Sequence, residues 1–260
     1  MRQRFYSLPK QKRDAFVAAM RDHIHRGLAD GENRYLMSYA ASPDTHIRKW
    51  AYTVLGRIYH EHRELWSTAL AVVEEMLLSP NQKVRQTAVY AAGAVGDLRV
   101  VADILETGLR DPHHSVRNGV IGALKVIGSK DPPRALAFAR RHIKDDDPEV
   151  RRQIVHGIEL HGRTCPQEIL PLLADMQGET NNRVCTMIVH VIGQISYKEG
   201  CLETVIDELR GWGNRDLRSR AIVSILAVHR EQTYCAHSYK DAREYIRQAG
   251  LLPGGEGKHA

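Results

Sequence analysis

Apolar residues recur along this chain in short stripes at helical spacing. After Val84 they fall at Ala88, Val89, Ala92 and Val95, four, five, eight and eleven residues on, which lines one face of an α-helix. Comparable stripes follow Ile47, Val116, Val150, Val184 and Leu217, so six anchors stand 37, 32, 34, 34 and 33 residues apart. Second amphipathic stretches lie between them, among them STALAVVEEMLL (67–78), VVADILETGL (100–109) and LETVIDELRGW (202–212). Each unit therefore predicts two antiparallel helices, and no β-rich segment intrudes. A helix pair with one apolar face cannot bury it alone, so neighbouring pairs must stack. The expected fold is all-α: a right-handed superhelical α-solenoid of about six helix pairs, with the second helices lining a concave face.

Aligned on their anchors, stretches such as DTHIRKWAYTVLGRI, NQKVRQTAVYAAGAVG, HHSVRNGVIGALKVIG and DPEVRRQIVHGIELHG share the pattern D-x-x-V-R-x-x-A-x-x-x-L-x-x-I-G. This pattern resembles that of the HEAT-repeat, armadillo-like solenoids, and the resemblance covers roughly residues 33–230. It implies the fold; for function it implies only a range, from scaffolds and transport receptors to nucleic-acid binders and a few enzymes. The organisation read from it is a basic N-terminal capping helix in 1–32, repeats over 33–230, a C-terminal capping helix in 231–250 and a disordered tail in 251–260. Phe16, Met20 and Ile24, four apart after Ser7 and Pro9, carry the first helix. Asp or Pro before several anchors, as in Pro43-Asp44, Asp111-Pro112 and Asp147-Pro148, supplies helix-start chemistry.

The net charge of +6 resides mostly in residues 1–26, which hold seven cationic and two anionic side chains. The remainder is close to neutral, so basicity belongs to one segment rather than the whole surface. No apolar run approaches the roughly 20 residues of a bilayer span, and the basic start lacks a signal peptide's apolar core. A cytoplasmic protein is expected. Cys165, Cys185, Cys201 and Cys235 form no C-x-x-C pair and are expected to be reduced and mostly buried.

Arg48, Arg85, Arg117, Arg151 and Arg218 follow their anchors, and Cys185 alone breaks this column. The HEAT resemblance implies that such arginines bind acidic side chains and turn carbonyls of neighbouring repeats, rather than form a phosphate ladder. Counted from that arginine, positions +1, +5, +8 and +12 share a face beside the apolar stripe. The candidate groove residues drawn chiefly from this face are Lys49, Tyr90, Asn118, Lys125, Arg152, His156, Glu159, Arg163, His190, Tyr197 and Arg230. Gly56, Gly93, Gly122 and Gly193 on the same face are expected to let a partner approach the backbone closely.

His156, Glu159 and His161 form an H-x-x-E-x-H cluster. His156 and Glu159, three residues apart, share a helical face, whereas His161 falls about 140° from His156. It enters the apolar column and is read as a semi-buried core histidine. His190 is the neighbour of His156 in the next repeat, and the two imidazoles with Glu159 could in principle converge on a metal. No established metal motif is present, so no metal is assigned. No phosphate loop, nucleophile elbow or Cys-His pair at a recognised spacing occurs, so neither a catalytic residue nor a cofactor is assigned. The repeated His-Glu pairs of HEAT-type iron hydroxylases are missing, with only His60-Glu61 present. HEAT-like DNA glycosylases of the alkylation-repair group combine a basic concave face with tryptophans and an acidic residue; here Trp50, Trp66 and Trp212 are scattered, with no acidic groove neighbour in this register. The expected function is a non-catalytic scaffold whose groove binds a protein or peptide. Nucleic-acid binding, related to those glycosylases, is the alternative, and with it the only enzymatic reading.

Overall fold

The computed structural model describes residues 4–252. They are helical, with no strand among the described residues, because the 3.6-residue apolar period continues from repeat to repeat. The chain divides into two compact units, Met1–Asp131 and Pro132–Ala260. The first contains α1 (Lys10–Ala29), α2 (Arg34–Ala40), α3 (Thr45–Glu61), α4 (Trp66–Leu77), α5 (Gln82–Val95), α6 (Leu98–Leu109) and α7 (His114–Lys130). The second contains α8 (Pro132–His142), α9 (Pro148–Gly157), α10 (Glu159–Gly162), α11 (Pro166–Ala174), α12 (Asn182–Gln194), α13 (Cys201–Arg210), α14 (Arg215–Glu231) and α15 (Tyr239–Gln248). No helix of the described residues is long and apolar enough to cross a membrane.

The anchor helices stack side by side within each unit, α3 on α5 on α7 in the first and α9 on α12 on α14 in the second. The intervening helices form the other layer, with α4 against α6 and α11 against α13. Anchor residues and their stripes fill the core between layers: Ile58, Leu124, Ile154, Ile188 and Ile225 are buried. Helix α1 buries Met20 and Ile24 and packs on α2 and α3, while α15 buries Ala242 and Ile246 and packs on α14. Most of the tail expected over 251–260 lies outside the described residues.

Short polar residues start the anchor helices. Asp44, Asn81, Asp147, Asn181 and Asn214 each accept a backbone N–H of the first turn, for instance His46 N–H at 2.8 Å and Glu149 N–H at 2.8 Å, contributing about 1 kcal/mol each. Asp111 departs from the helix-start role. Helix α7 is capped instead by His113, whose Nδ1 accepts Ser115 N–H at 3.2 Å, because Asp111 stands two residues before the cap position, where it accepts His113 N–H at 2.8 Å and pairs with Arg85.

The arginine column binds the turns. Arg48, Arg85, Arg117, Arg151 and Arg218 each donate to the carbonyl six residues earlier, at 2.6–3.2 Å. Where the column breaks, the Cys185 thiol makes the equivalent contact, 3.3 Å from Glu179 O. Two arginines also reach the next turn with both prongs of the guanidinium: Arg85 to Asp111 at 2.7 and 3.0 Å, and Arg151 to Glu179 at 2.6 and 2.9 Å. These are inter-repeat ties with the bidentate geometry that arginine favours.

The glycines correct an expectation. They face neighbouring helices rather than an incoming partner: a Cβ on Gly56 would lie 2.6 Å from Ala94 Cβ, one on Gly93 2.7 Å from Ala123 Cα, and one on Gly193 2.3 Å from Ser224 Oγ. Small residues here let successive anchor helices approach closely. Gly93→Val is therefore expected to overpack the α5–α7 contact and cost about 1–3 kcal/mol. Gly178→Ala, where an added Cβ meets nothing within 4 Å, is expected to be near neutral; paired urea melts check the difference.

Candidate functional site

The candidate residues divide between the two units. In the first, Lys49 and Asn118 are exposed and Lys125 is half-buried. Tyr90 stacks on Tyr52 with ring centroids 5.1 Å apart, and its ring edge packs over Gly122. Burial pushes both phenols above their usual pKa, so they act as neutral amphipathic surfaces. They line one end of a depression of about 370 Å³ that continues past Gly93 to Val126.

In the second unit, the anchor stripe of the fourth repeat does not run through a single helix. It breaks at Ile158, separating α9 from the single turn α10. Glu159 opens that turn, and its side chain is only 2% exposed. A groove-facing carboxylate was expected; the neighbouring helix and three donors cover it. Its Oε2 lies 3.2 Å from His156 Nε2 and 3.8 Å from His190 Nε2. The Arg163 guanidinium engages the other oxygen and donates to Gln194 Oε1 at 3.0 Å. The two imidazoles meet edge to face at 6.0 Å, and Arg163 also lies 5.9 Å over the Tyr197 ring. Three sequence candidates, His156, Arg163 and His190, thus converge on the carboxylate of a fourth, Glu159, with Tyr197 beside them.

The other ring nitrogen of His156, Nδ1, is buried and without a hydrogen-bond partner. A bare lone pair is the cheaper orphan, which assigns a proton to Nε2, the nitrogen that donates to Glu159. A buried carboxylate that receives an arginine and an imidazole N–H is a satisfied centre. It holds its donors in place.

A second carboxylate repeats this arrangement nearer the start of the same helices. Glu149 accepts Arg152 with both oxygens, at 3.0 and 2.8 Å, as well as Gln153 at 2.8 Å, and Arg183 of α12 stands 3.4 Å away. The bonds from Arg152 hold the Glu149 carboxyl below its usual range although burial opposes ionisation. Arg152 is therefore a partner within this network rather than a free groove cation. Glu149, Arg183 and Gln194 were not among the candidates. Glu149 and Arg183 occupy equivalent positions, two residues before the column, and an opposite-charge pair at matched positions of adjacent repeats was the signal available. Arg230, also a candidate, turns to α15, donating to Tyr239 Oη at 3.0 Å and lying 4.7 Å over its ring. His161 is half-buried as expected, and it binds Glu168 at 2.9 Å, a partner the apolar column did not indicate.

A family model for HEAT repeats matches residues 33–125 and 69–159. Residues 33–159 carry HEAT repeats. Helix α12, with His190, lies beyond the matched residues but keeps the HEAT register and stacks on α9. No curated protein matches the chain. Among solved structures, AlkD2 from Streptococcus mutans is 17% identical, with a TM-score of 0.50 over 80% of this chain and 96% of its own. The protein smu.31 from Streptococcus mutans UA159 is 16% identical, with a TM-score of 0.50 over 78% of this chain and 97% of its own. At these identities the likeness is one of fold, and it supports the HEAT assignment alone.

Proposed function

We propose that this HEAT-repeat chain is a non-catalytic binding protein that recognises an acidic protein or peptide segment on the face shared by α9, α10 and α12. One observation carries the reading: cationic and donor tips stand over buried carboxylates. His190 and Arg183 expose 48% and 74% of their side chains, whereas Glu159 and Glu149 beneath them expose 2% and 16%. The face therefore presents donors held in place from below, which lowers the ordering cost of binding an anionic side chain or a chain-terminal carboxylate. Both oxygens of Glu159 are taken up by the donors it orients, and this arrangement supports binding rather than turnover.

The test is a fluorescence-anisotropy titration of a labelled, Asp/Glu-rich twelve-residue peptide with the full chain. Binding is expected for this peptide but not for its Lys-rich counterpart. The double variant Arg183→Ala, His190→Ala is expected to weaken it at least about tenfold, since each lost charge contact is worth on the order of 1 kcal/mol or more. Equal binding by the variant would remove the assignment.

Nucleic acid is the second reading, and a different observation favours it. In the first unit, Tyr6, Arg13, Asp14, Trp50 and Arg57 line a depression of about 460 Å³. Arg13 lies 5.2 Å over the Tyr6 ring and Arg57 5.7 Å over Trp50. The basic N-terminal segment thus joins an aromatic, cationic patch, and Asp14 and Trp50, which the repeat register did not bring together, line the same depression. A DNA duplex that bound with steep salt dependence, and lost binding on Arg13→Ala with Arg57→Ala, would favour this reading over the first.

A further inference from the structure

The connector between α10 and α11 gathers three metal-competent side chains that the binding face does not use. A ring nitrogen of His161, the Cys165 thiol and a Glu168 carboxylate oxygen all lie within 4.8 Å of one another. His161 Nε2 and Glu168 Oε2 are 2.9 Å apart. The turn is fixed by its own backbone: Cys165 N–H donates to His161 O at 3.0 Å, and Glu168 N–H donates to Cys165 O at 3.1 Å. Pro166 then starts α11. All three donors belong to one eight-residue stretch, so bringing them together adds little loop-closure cost.

We propose that His161, Cys165 and Glu168 form a binding site for a zinc-class divalent metal ion. Sulfur, imidazole nitrogen and carboxylate oxygen are the donors that zinc takes, with bonds of about 2.0–2.3 Å. A tetrahedral ion with such bonds sets adjacent donors roughly 3.3–3.7 Å apart, so small side-chain rotations suffice. The balance is simple: the ion displaces the thiol proton of Cys165 to solvent, and the thiolate and carboxylate together neutralise its two charges. Three protein ligands leave a fourth position for water.

A second trio, His156, Glu159 and His190, also brings its donor atoms within 4.8 Å. There the Arg163 guanidinium already engages Glu159, so a dication would face a fixed positive charge with only one anionic ligand to offset it. At the connector, Arg163 turns away to Glu159 and Gln194. A further thiol, Cys201 at the start of α13, lies near Cys165, and burial and that neighbour oppose its ionisation. The connector is a sulfur-containing neighbourhood rather than a merely acidic one. Bound there, the ion would tie α10 to α11 beside the binding face.

Titration of the metal-free full chain with Co²⁺ tests this independently of any peptide. The expected result is one equivalent bound, with a thiolate-to-cobalt charge-transfer band in the near ultraviolet and the strong visible bands of a tetrahedral site. Cys165→Ser should abolish the charge-transfer band, Glu168→Gln should weaken Zn²⁺ binding at least about tenfold, and His190→Ala should leave both unchanged. Circular dichroism confirms that each variant is folded, and Glu168→Gln carries the test if Cys165→Ser is not. No bound cobalt, no charge-transfer band, a band that survives Cys165→Ser, or one lost in His190→Ala would overturn the site.

Discussion

Glu179→Ala is expected to cost about 3–5 kcal/mol, the largest single loss of stability among the ion pairs described. The Glu179 side chain is 5% exposed and Arg151 is 17% exposed. The carboxylate receives both prongs of Arg151 together with the backbone N–H groups of Thr180 and Asn181, at 3.0 and 2.8 Å. Removing it takes the acceptor from the Arg151 Nε and Nη2 and from the half-buried Asn181 N–H, while Arg151 Nη1 keeps the carbonyls of Asp145 and Asp146. By contrast, Lys10 and Asp14 pair at 2.7 Å while 82% and 62% exposed, so Asp14→Ala should cost under about 1 kcal/mol. Urea unfolding of both variants decides the matter, and a loss in Glu179→Ala no larger than in Asp14→Ala would refute the inter-repeat tie.

The same pair sets a pH dependence. The bonds from Arg151 hold the Glu179 carboxyl below its usual range, with burial opposing and the Asn181 N–H assisting. A group whose folded pKa is depressed stabilises the fold fully above its unfolded value, about 4.3 for glutamate, and that contribution is lost as pH falls through the lower folded value. Glu179→Gln should therefore be less stable than the unmodified chain at neutral pH and show a shallower decline in acid. Denaturant midpoints measured from pH 7 down to pH 3 give both slopes.

Glu159→Ala is expected to cost about 2–4 kcal/mol and to abolish binding of the acidic peptide. Its side chain is almost completely covered, so its loss opens a polar cavity and strands donors on three residues. Arg163 keeps 29% exposure and can recover part of its hydration, which places the loss below that of Glu179→Ala. Binding should fall because the carboxylate orients His156, His190 and Arg163; a new anion could then be drawn into the vacated centre rather than recognised at the tips. Glu159→Gln separates support from charge. The amide retains volume and one acceptor oxygen, so stability should fall by less while affinity still falls. Anisotropy and urea melts on the two variants make the comparison, and full peptide binding by Glu159→Ala would refute the supporting role.

The architecture was legible because its cause is periodic. Apolar stripes at fixed spacing dictate helices, a near-constant repeat dictates stacking, and a side chain such as Arg151 recurring one residue after the anchor dictates a repeated contact. The cluster around Glu159 was legible only in which residues meet. Positions +5 and +8 in one repeat and +5 in the next correctly brought His156, Glu159 and His190 together. Their depth was not legible, because a helical wheel assumes an unbroken helix and no neighbour. The packing of α12 on α9 and the donors of Arg163 and the two imidazoles cover Glu159, and neither follows from face arithmetic on one helix. The glycines failed for the same reason. Gly93 sits on the predicted face, but the space it leaves is filled by Ala123 of the adjacent helix. Arg152 was misread because Glu149, its partner three residues earlier, lay outside the positions counted.

Hydrogen–deuterium exchange of the full chain with and without the acidic peptide tests the central claim most directly. Slowed exchange confined to α9, α10 and α12, and absent in Arg183→Ala with His190→Ala, is the predicted result. Protection instead in α1 and α3, or none under conditions where the peptide is bound, would contradict it.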